Sequence, residues 1–437
     1  MPALMSHIIP LVVAAAALIP LSSAALEYSA SVGYLGEYRD NANRTVGSDE
    51  ESDIIHRPRF AFAGDHVGPR FEAGFNYRAQ QRIYQDDTFD DETILEGGAD
   101  FAWNVVPDRL IVFAANQRQE TEVRRSEEAV PTNLQEADKS RAGVNLILDS
   151  ISNHALTLGY QYAQVNLDET RNDSSRQTVT ANYAIPFSET DVLSLLGDFS
   201  KVDFDDDPIP DYESRSGSLQ YARLTIRSSL TISAGYQSVD RDLDRDTVDG
   251  YIGSIDFTRE LSAATSVGIS LSQNFRDNSL QFGRRLIVNE PDPIDDGGFI
   301  GDTDIGEVYK EKRGAAFLST RIGANAVSLT VDAARQEYQD VDRDADAIGA
   351  AVDVIRSIRP NLDGYLGVGY RQHDFATVQG KDDEVQGHLG LNWQRTPRLA
   401  LGFSLNYFTR QRDVAERDVD DWSAQFSIDY LILGSAP

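Results

Sequence analysis

The chain of 437 residues lacks cysteine and, beyond Leu26, lacks any long apolar run. The missing cysteines exclude disulfide bonds, thiolate metal sites and cysteine nucleophiles together. Helical membrane spans are excluded beyond Leu26, because no segment there approaches the roughly eighteen consecutive apolar residues that a spanning helix needs. Pro-rich linkers and Gly/Ser tracts are also missing, so the sequence indicates one architecture over residues 26–437.

Basic residues are scarce relative to acidic ones. The chain has 40 Lys and Arg against 70 Asp and Glu, which gives a formal net charge of -30. We therefore do not expect nucleic acid as a partner, because phosphate binding needs a basic face. An acidic balance suits a protein whose loops stand in water beside divalent cations, a property that many soluble acidic proteins share.

Motifs for catalysis and cofactor binding are absent as well. No phosphate-cradling GxxxxGK[ST] run, HExxH zinc pair or GxSxG nucleophile elbow occurs. No two of the six histidines stand at ligand spacing on one predicted strand face. We expect no cofactor, no metal site and no catalysis. A barrel enzyme stays an alternative, because Ser, His and Asp are numerous.

Residues 1–25 differ from the rest of the chain. The apolar stretch Ile8 to Leu21 precedes a small-residue site at 23–25, which is typical of a secretory signal peptide cleaved before Leu26. A short N-terminal membrane helix is the alternative, but the prolines within the stretch leave too little uninterrupted apolar length. We expect export and a mature protein of residues 26–437.

Strict alternation of apolar with small or polar residues recurs along the mature chain. In the clearest case, Leu399 to Tyr407, Leu and aromatic residues take every second place, and Ala, Gly, Ser and Asn take the others. A period of two indicates strands with one apolar and one polar face. Each segment lasts about ten to fourteen residues, against about five or six in soluble sandwiches, which favours tilted membrane strands.

The links between the strands alternate in length. Short turns such as 107–108 and 395–397 alternate with longer, mostly acidic links such as Arg39 to Ser52 and Thr121 to Ala137. Ten long and nine short links predict an all-β fold, a transmembrane antiparallel up-and-down β-barrel of about 20 strands, with about 18 to 22 as the range. The expected location is the outer membrane of a Gram-negative bacterium, in contact with lipid and lipopolysaccharide.

The early runs Ile55 to Gly64 and Phe71 to Ala79, followed by the acidic hairpin end Tyr84 to Asp87, resemble a family of β-barrel porins. That family includes outer-membrane proteins associated with exopolysaccharide and exosortase gene clusters. The resemblance covers most of the mature chain and implies a pore or export conduit with polysaccharide as a cargo. The last strand, Phe426 to Ile432, alternates as a signal for the barrel-assembly machinery should, but Leu433 to Pro437 follow it where many barrels end on an aromatic.

A basic lumen wall is predicted on the early strands. If Phe60 and Phe62 face lipid, the period of two turns their arginine neighbours inward, and the next strands follow in the same way. The pore-lining candidates share this inward phase and are Arg57, Arg59, Arg78, Arg82, Glu96 and Asp100. The two acids leave a second interpretation open, a salt ladder in which cross-strand pairing offsets the arginine charge.

The link Asp277 to Val308 is the longest, and loops of this length are usually functional or disordered. Its stretch Leu286 to Val308 has no Lys or Arg. The acids there are candidates for a constriction loop and are Glu290, Asp292, Asp295, Asp296, Asp302, Asp304 and Glu307. Folded inward, they would oppose the basic wall and narrow the pore. Folded outward, the link is an acidic flap, and both alternatives stay open.

The sequence as a whole predicts a passive channel or export conduit for hydrophilic solutes. The rival class is a structural or docking barrel whose loops bind a partner. Barrel width separates the two classes, because roughly sixteen or more strands leave an aqueous lumen, whereas about eight are filled by side chains.

Overall fold

The computed structural model describes residues 27–123, 127–149, 154–168, 173–205, 210–242, 245–277, 308–338, 344–376, 381–413 and 418–434. The predicted signal peptide, residues 1–25, lies outside them. Two short 3-10 helices, Gly47–Asp49 and Pro131–Asn133, accompany twenty strands. The strands are β1 Glu27–Arg39, β2 Asp53–Val67, β3 Phe71–Tyr84, β4 Glu92–Val106, β5 Leu110–Glu122, β6 Leu134–Asp149, β7 Ala155–Leu167, β8 Ser174–Pro186, β9 Asp191–Phe204, β10 Tyr212–Leu224, β11 Ser228–Arg241, β12 Val248–Ser262, β13 Thr265–Arg276, β14 Tyr309–Ile322, β15 Asn325–Tyr338, β16 Ala345–Arg359, β17 Leu362–Phe375, β18 Lys381–Thr396, β19 Leu399–Arg412 and β20 Val419–Leu433.

The twenty strands form one closed antiparallel sheet. Each strand pairs with its neighbours in sequence, and β1 pairs with β20 from Ala30–Leu433 to Arg39–Ser423, so no edge is left open. The predicted all-β barrel of about twenty strands is confirmed, with ten long links at one end and nine short turns at the other. We call the long-link end the outer mouth. Within the described residues, no helix has the length and apolar character needed to cross a bilayer.

The alternation in the sequence becomes two faces of the barrel wall. Val179 and Phe403, at the middle of β8 and β19, are 50% and 46% exposed, and large apolar side chains are exposed in the same way all round the outside. A belt of this size is far larger than the apolar patches of soluble proteins. It matches the outward apolar band by which outer-membrane barrels contact lipid.

Tyrosine–aspartate pairs lie on the outer face where the apolar belt gives way to the long links. In each pair the tyrosine hydroxyl donates to an aspartate thirteen positions later, on the next strand. The pairs are Tyr236–Asp249, Tyr370–Asp383 and Tyr407–Asp420. Aromatic rings with a polar tip are typical of the membrane–water interface. These pairs therefore locate the boundary of the belt at the outer mouth.

The end of β13 leaves the wall and turns into the lumen. Pairing between β12 and β13 stops at Gly253–Gln273, although both strands continue. The Gln237 side chain on β11 replaces the lost partner, since its amide donates to the Phe275 carbonyl and accepts from the Phe275 amide, both at 3.4 Å. The Phe275 ring then lies over Gly250, where a Cβ would be 3.3 Å from it.

We expect the two faces of β8 to respond differently to charge. Val179→Arg places a guanidinium in the lipid belt and should lower the free energy of unfolding by about 2 to 4 kcal/mol. Thr180→Arg is the matched control, because Thr180 is exposed on the lumen side and its variant stays in water. Urea unfolding in phospholipid vesicles measures both, and equal losses would contradict the assignment of faces.

Candidate pore and its outer mouth

The lumen face of the early strands carries paired arginines. Arg57 Nη2 lies 2.6 Å from Glu37 Oε2 on β1, and Arg59 is held by Asp429 on β20 at 2.5 Å. Arg82 pairs with Glu92 on β4 and, at 3.0 Å, with Glu120 on β5. These arginines therefore lie in a salt ladder, and their partners come from β1, β4, β5 and β20. Asp100 faces the lumen beside Gly74 of β3.

Arg78 differs from the other three arginines of the predicted wall. It is exposed, and it stands directly opposite Glu96 in the β3–β4 register. Within the described part of the chain, Arg78 forms no salt bridge. Arg78 therefore presents its charge to the lumen without a bonded acid to offset it. Arg57, Arg59 and Arg82 are each bonded to an acid that offsets their charge.

Glycine-floored pairs are a repeated feature of the lumen wall. In each, two charged or polar side chains from alternate strands meet above a glycine of the strand between them. Three of these pairs join a basic side chain to an acid, and they are Arg59–Asp429 over Gly33, Arg371–Asp332 over Gly349 and His388–Asp353 over Gly367. A Cβ at Gly349 would lie 2.8 Å from Asp332 Oδ1 and 3.1 Å from Arg371 Nε, so glycine is required for the pair to close.

Lumen-facing side chains are buried next to the long links. The most deeply buried apolar ones, at 2% exposure or less, are Ile55, Ile94, Ala137, Ala163, Val165, Val202, Val239, Tyr309 and Ala345. Further from the outer mouth the lumen is wet, since the side chains of His388 and Asp353 are 43% and 46% exposed. The lumen is therefore packed at its outer mouth and open to water below it.

The β5–β6 link reaches across part of the outer mouth and contacts β19, which lies six strands from β5 round the barrel. Its base is closed by the Val123 amide, which donates to the Asn133 carbonyl at 2.9 Å. Arg412 Nη2 donates to Glu128 Oε1 at 3.0 Å, and Arg410 Nη1 donates to the Glu127 carbonyl at 3.0 Å. Both arginines belong to β19. An inward-folded link therefore exists at β5–β6, where the sequence predicted only a long acidic connection.

The β19 arginines bind acids of the wall as well as the link. Arg410, with a side chain only 3% exposed, has its Nη2 2.6 Å from Asp382 Oδ2. Arg412 Nε lies 3.3 Å from the same oxygen. Burial raises the pKa of the Glu128 carboxyl although Arg410 and Arg412 favour its ionised form. We call Glu128, Arg410, Arg412 and Asp382 the mouth latch. It joins the link to the wall through salt bridges, in addition to the hydrogen bond from Arg410 to the Glu127 carbonyl.

Both ends of the longest link are also anchored inside the barrel. Asp277 accepts hydrogen bonds from Arg176 on β8 at 2.9 Å and from the Tyr212 hydroxyl on β10 at 2.5 Å. Val308 packs with Phe275 and with buried valines of β9, β11 and β12. The constriction candidates lie between these anchors and outside the described residues, and they are Glu290, Asp292, Asp295, Asp296, Asp302, Asp304 and Glu307.

Known proteins resemble this chain in fold rather than in sequence. The sequence matches no protein-family model and no curated protein. The FrpB iron transporter from Neisseria meningitidis, in its F5-1 variant, has a TM-score of 0.53 at 8% identity over 92% of this chain and 82% of that chain. Its F3-3 variant has a TM-score of 0.50 at 8% identity over 92% and 81%. The siderophore receptor PirA from Pseudomonas aeruginosa has a TM-score of 0.47 at 10% identity over 92% and 80%.

These identities are low enough that the shared feature is the fold. A closed antiparallel barrel of twenty strands with an apolar exterior is the architecture of the Gram-negative outer membrane, and the chain lies there. The predicted location is confirmed. The resemblance to porins with an exopolysaccharide association holds at the coarser level of an outer-membrane β-barrel.

Adding one methyl group at Gly349 tests whether the Arg371–Asp332 pair requires a glycine beneath it. Gly349→Ala should separate the pair and lower the free energy of unfolding by about 1 kcal/mol, the value of a partly exposed charged hydrogen bond. Gly369→Ala on the next strand is the matched control and should cost less than about 0.5 kcal/mol, because its Cβ would meet only Ala351 Cβ at 3.9 Å.

A double-mutant cycle identifies the cause of this loss. In an Arg371→Gln, Asp332→Asn background, Gly349→Ala should cost no more than Gly369→Ala does. A loss that persists in that background would mean that steric contact of the new methyl group with the side chains at positions 332 and 371, and not the ion pair, explains the glycine.

Proposed function

From an outer-membrane barrel with a charged lumen, we propose a channel for hydrophilic solutes that carries out no chemical step. The observation that carries the proposal is the closed ring of twenty strands with a polar inner face. Strands about 4.8 Å apart and tilted about 40° enclose a ring about 40 Å across at the backbone, and barrels of sixteen or more strands hold water. FrpB, which shares the fold, is an iron transporter.

The mouth latch is the part of this channel that opens. The β5–β6 link is fixed to β19 through Glu128, Arg410 and Arg412, whose side chains are only 3% to 13% exposed. Charged groups that hold one another by salt bridges exchange partners readily in water, so the link can leave the wall without unfolding a strand. In this proposal the β5–β6 link closes the channel, and the diameter of the barrel does not.

Polysaccharide is the cargo that we propose to test first. The salt ladder offsets much of the wall charge, and between the ion pairs the lumen presents hydroxyl and amide groups, such as Thr180, Asn145 and Asn392. Uncharged sugars need hydrogen-bonding groups of this kind and little net charge. Permeation of neutral oligosaccharides into liposomes that contain the protein measures this cargo directly.

Opening of the latch should be visible in planar bilayers. Arg410→Gln with Arg412→Gln removes both cations that hold the link, and single-channel conductance or open time should rise at least threefold. Glu128→Gln, which leaves the wall intact, should act in the same direction. The control is Lys201→Gln with Arg215→Gln, an equal loss of charge from the outer face of β9 and β10.

The result also separates the channel from the docking barrel. A folded, heat-modifiable protein that passes no ions as wild type and in both latch variants would contradict the channel and favour a barrel whose links bind a partner. A rise in conductance with the control variant as well would contradict the latch alone.

Arg78 should contribute most to ion preference among the four arginines of the early strands. In the opened latch variant, Arg78→Gln should shift the reversal potential toward cation selectivity, because a charge on the lumen wall acts on passing ions with little screening. The control is Arg59→Gln with Asp429→Asn, which removes an ion pair and leaves the net charge unchanged. Equal shifts would show that Arg78 has no special position.

A further inference from the structure

The outer face of the barrel has a groove of about 890 Å³ between β11 and β18. It lies on the lipid side of the wall, because most of its lining consists of outward residues such as Tyr251, Leu271 and Ile348, and on β17 the lining skips the inward His373 between Gln372 and Asp374. Below the inward turn of β13 the wall is indented from outside. The groove is therefore a feature of the surface that meets the membrane and is separate from the pore.

Two adjacent rows of the strand register line the groove. The lower row is apolar, with each residue paired to the next across one strand, and runs Ile255, Leu271, Gly314, Ala333, Ile348. Gly314 and Ala333 form the floor, because they stand where other strands present large apolar side chains to lipid. The indentation thus has a local cause in the sequence, two small residues side by side on β14 and β15.

The upper row is polar and lies directly above the apolar one. It runs Gln273, Lys312, Arg335, Asp346, Asp374, Lys381. Lys312 Nζ and Arg335 Nε both contact Glu337, at 2.7 and 2.9 Å, so one carboxylate serves two cations. Arg335 Nε also lies 3.6 Å from Asp346 Oδ1. The side chains of Lys312 and Arg335 are nevertheless 43% and 53% exposed, so both cations are accessible on the outer face.

This sector differs from the boundary of the belt elsewhere. At Tyr236, Tyr370 and Tyr407 the outward polar group is an aspartate that accepts a hydrogen bond from the tyrosine hydroxyl. In the groove three cations, Lys312, Arg335 and Lys381, share one row with Asp346 and Asp374, immediately above a hollow of apolar and small residues. Tyr251, 78% exposed, adds an aromatic ring at the edge, where a sugar ring can lie against it.

We propose that the groove binds a phosphorylated glycolipid of the outer leaflet, the lipid A portion of lipopolysaccharide. Its acyl chains fill the hollow over Gly314 and Ala333. Its phosphate meets Lys312 and Arg335, whose donors suit phosphate oxygens. The lower row, which is nearer the membrane, is apolar, and the upper row, which is nearer the water, carries the cations. Lipid A changes in the same direction, from acyl chain to phosphate, and this shared order supports it as the occupant.

A free anion or a soluble partner fits the observations less well. The apolar row continues into the belt that faces lipid, so the hollow is reached from within the leaflet. A phosphate ion would use the cations alone and would gain nothing from Gly314. The floor therefore distinguishes a lipid from a free anion, and the cations distinguish a phosphorylated lipid from a neutral one.

The test is titration of the delipidated protein in detergent with bis-phosphorylated lipid A, followed by native mass spectrometry. Lys312→Gln with Arg335→Gln should weaken binding about tenfold or more. Gly314→Leu, which fills the hollow and keeps every charge, should weaken it about fivefold. The matched control is Lys201→Gln with Arg215→Gln, two outward cations that each pair with an acid on β9 and β10. It should change binding less than twofold.

Competing probes complete the test. Lipid A without its phosphates and phosphatidylglycerol should each bind at least fivefold more weakly than bis-phosphorylated lipid A. Inorganic phosphate that displaces lipid A at equal concentration would overturn the lipid assignment. Equal losses of lipid A affinity in the groove variant and the control variant would overturn the site. Channel conductance does not enter this test, so failure of the site is distinguishable from failure of the proposed channel.

Discussion

A backbone that crosses a bilayer must find all its hydrogen-bond partners within the protein, because hydrocarbon offers none. The pairing of β1 with β20 meets this requirement by removing the last free edge of the sheet. Closure also makes the wall one strand thick. Successive residues then face lipid and lumen in turn, which is why a period of two runs through the whole chain.

The fold was readable from the sequence because barrel topology is local. Each strand pairs with the strands before and after it, so alternation such as that of Leu399 to Tyr407 and the lengths of the links were enough to predict twenty strands. The phase that places Phe60 and Phe62 outside also turns Arg57 and Arg59 inward. The phase of the alternation does not predict the salt-bridge partner of each arginine. Arg59, for example, pairs with Asp429, which is 370 positions away in sequence.

The outer mouth could not be predicted in the same way. Glu128 and Arg412 are 284 positions apart and meet because one link reaches across part of the outer mouth. The long links are mostly acidic and compete for the same arginines on charge alone. The sequence left open whether the longest link folds inward, and its candidate acids lie outside the described residues. The glycine floors could not be predicted either. The alternating pattern requires only a small residue at Gly349, and it does not indicate that Arg371 and Asp332 pair above it.

The inward turn at the end of β13 has a geometric consequence for the barrel. A wall one strand thick has no interior to absorb a change of shape, so a hollow on one side is a protrusion on the other. Phe275 inside and Gly314 outside are two views of one deformation. The depth of the outer hollow and the free cross-section of the lumen are therefore two dimensions of the same stretch of wall.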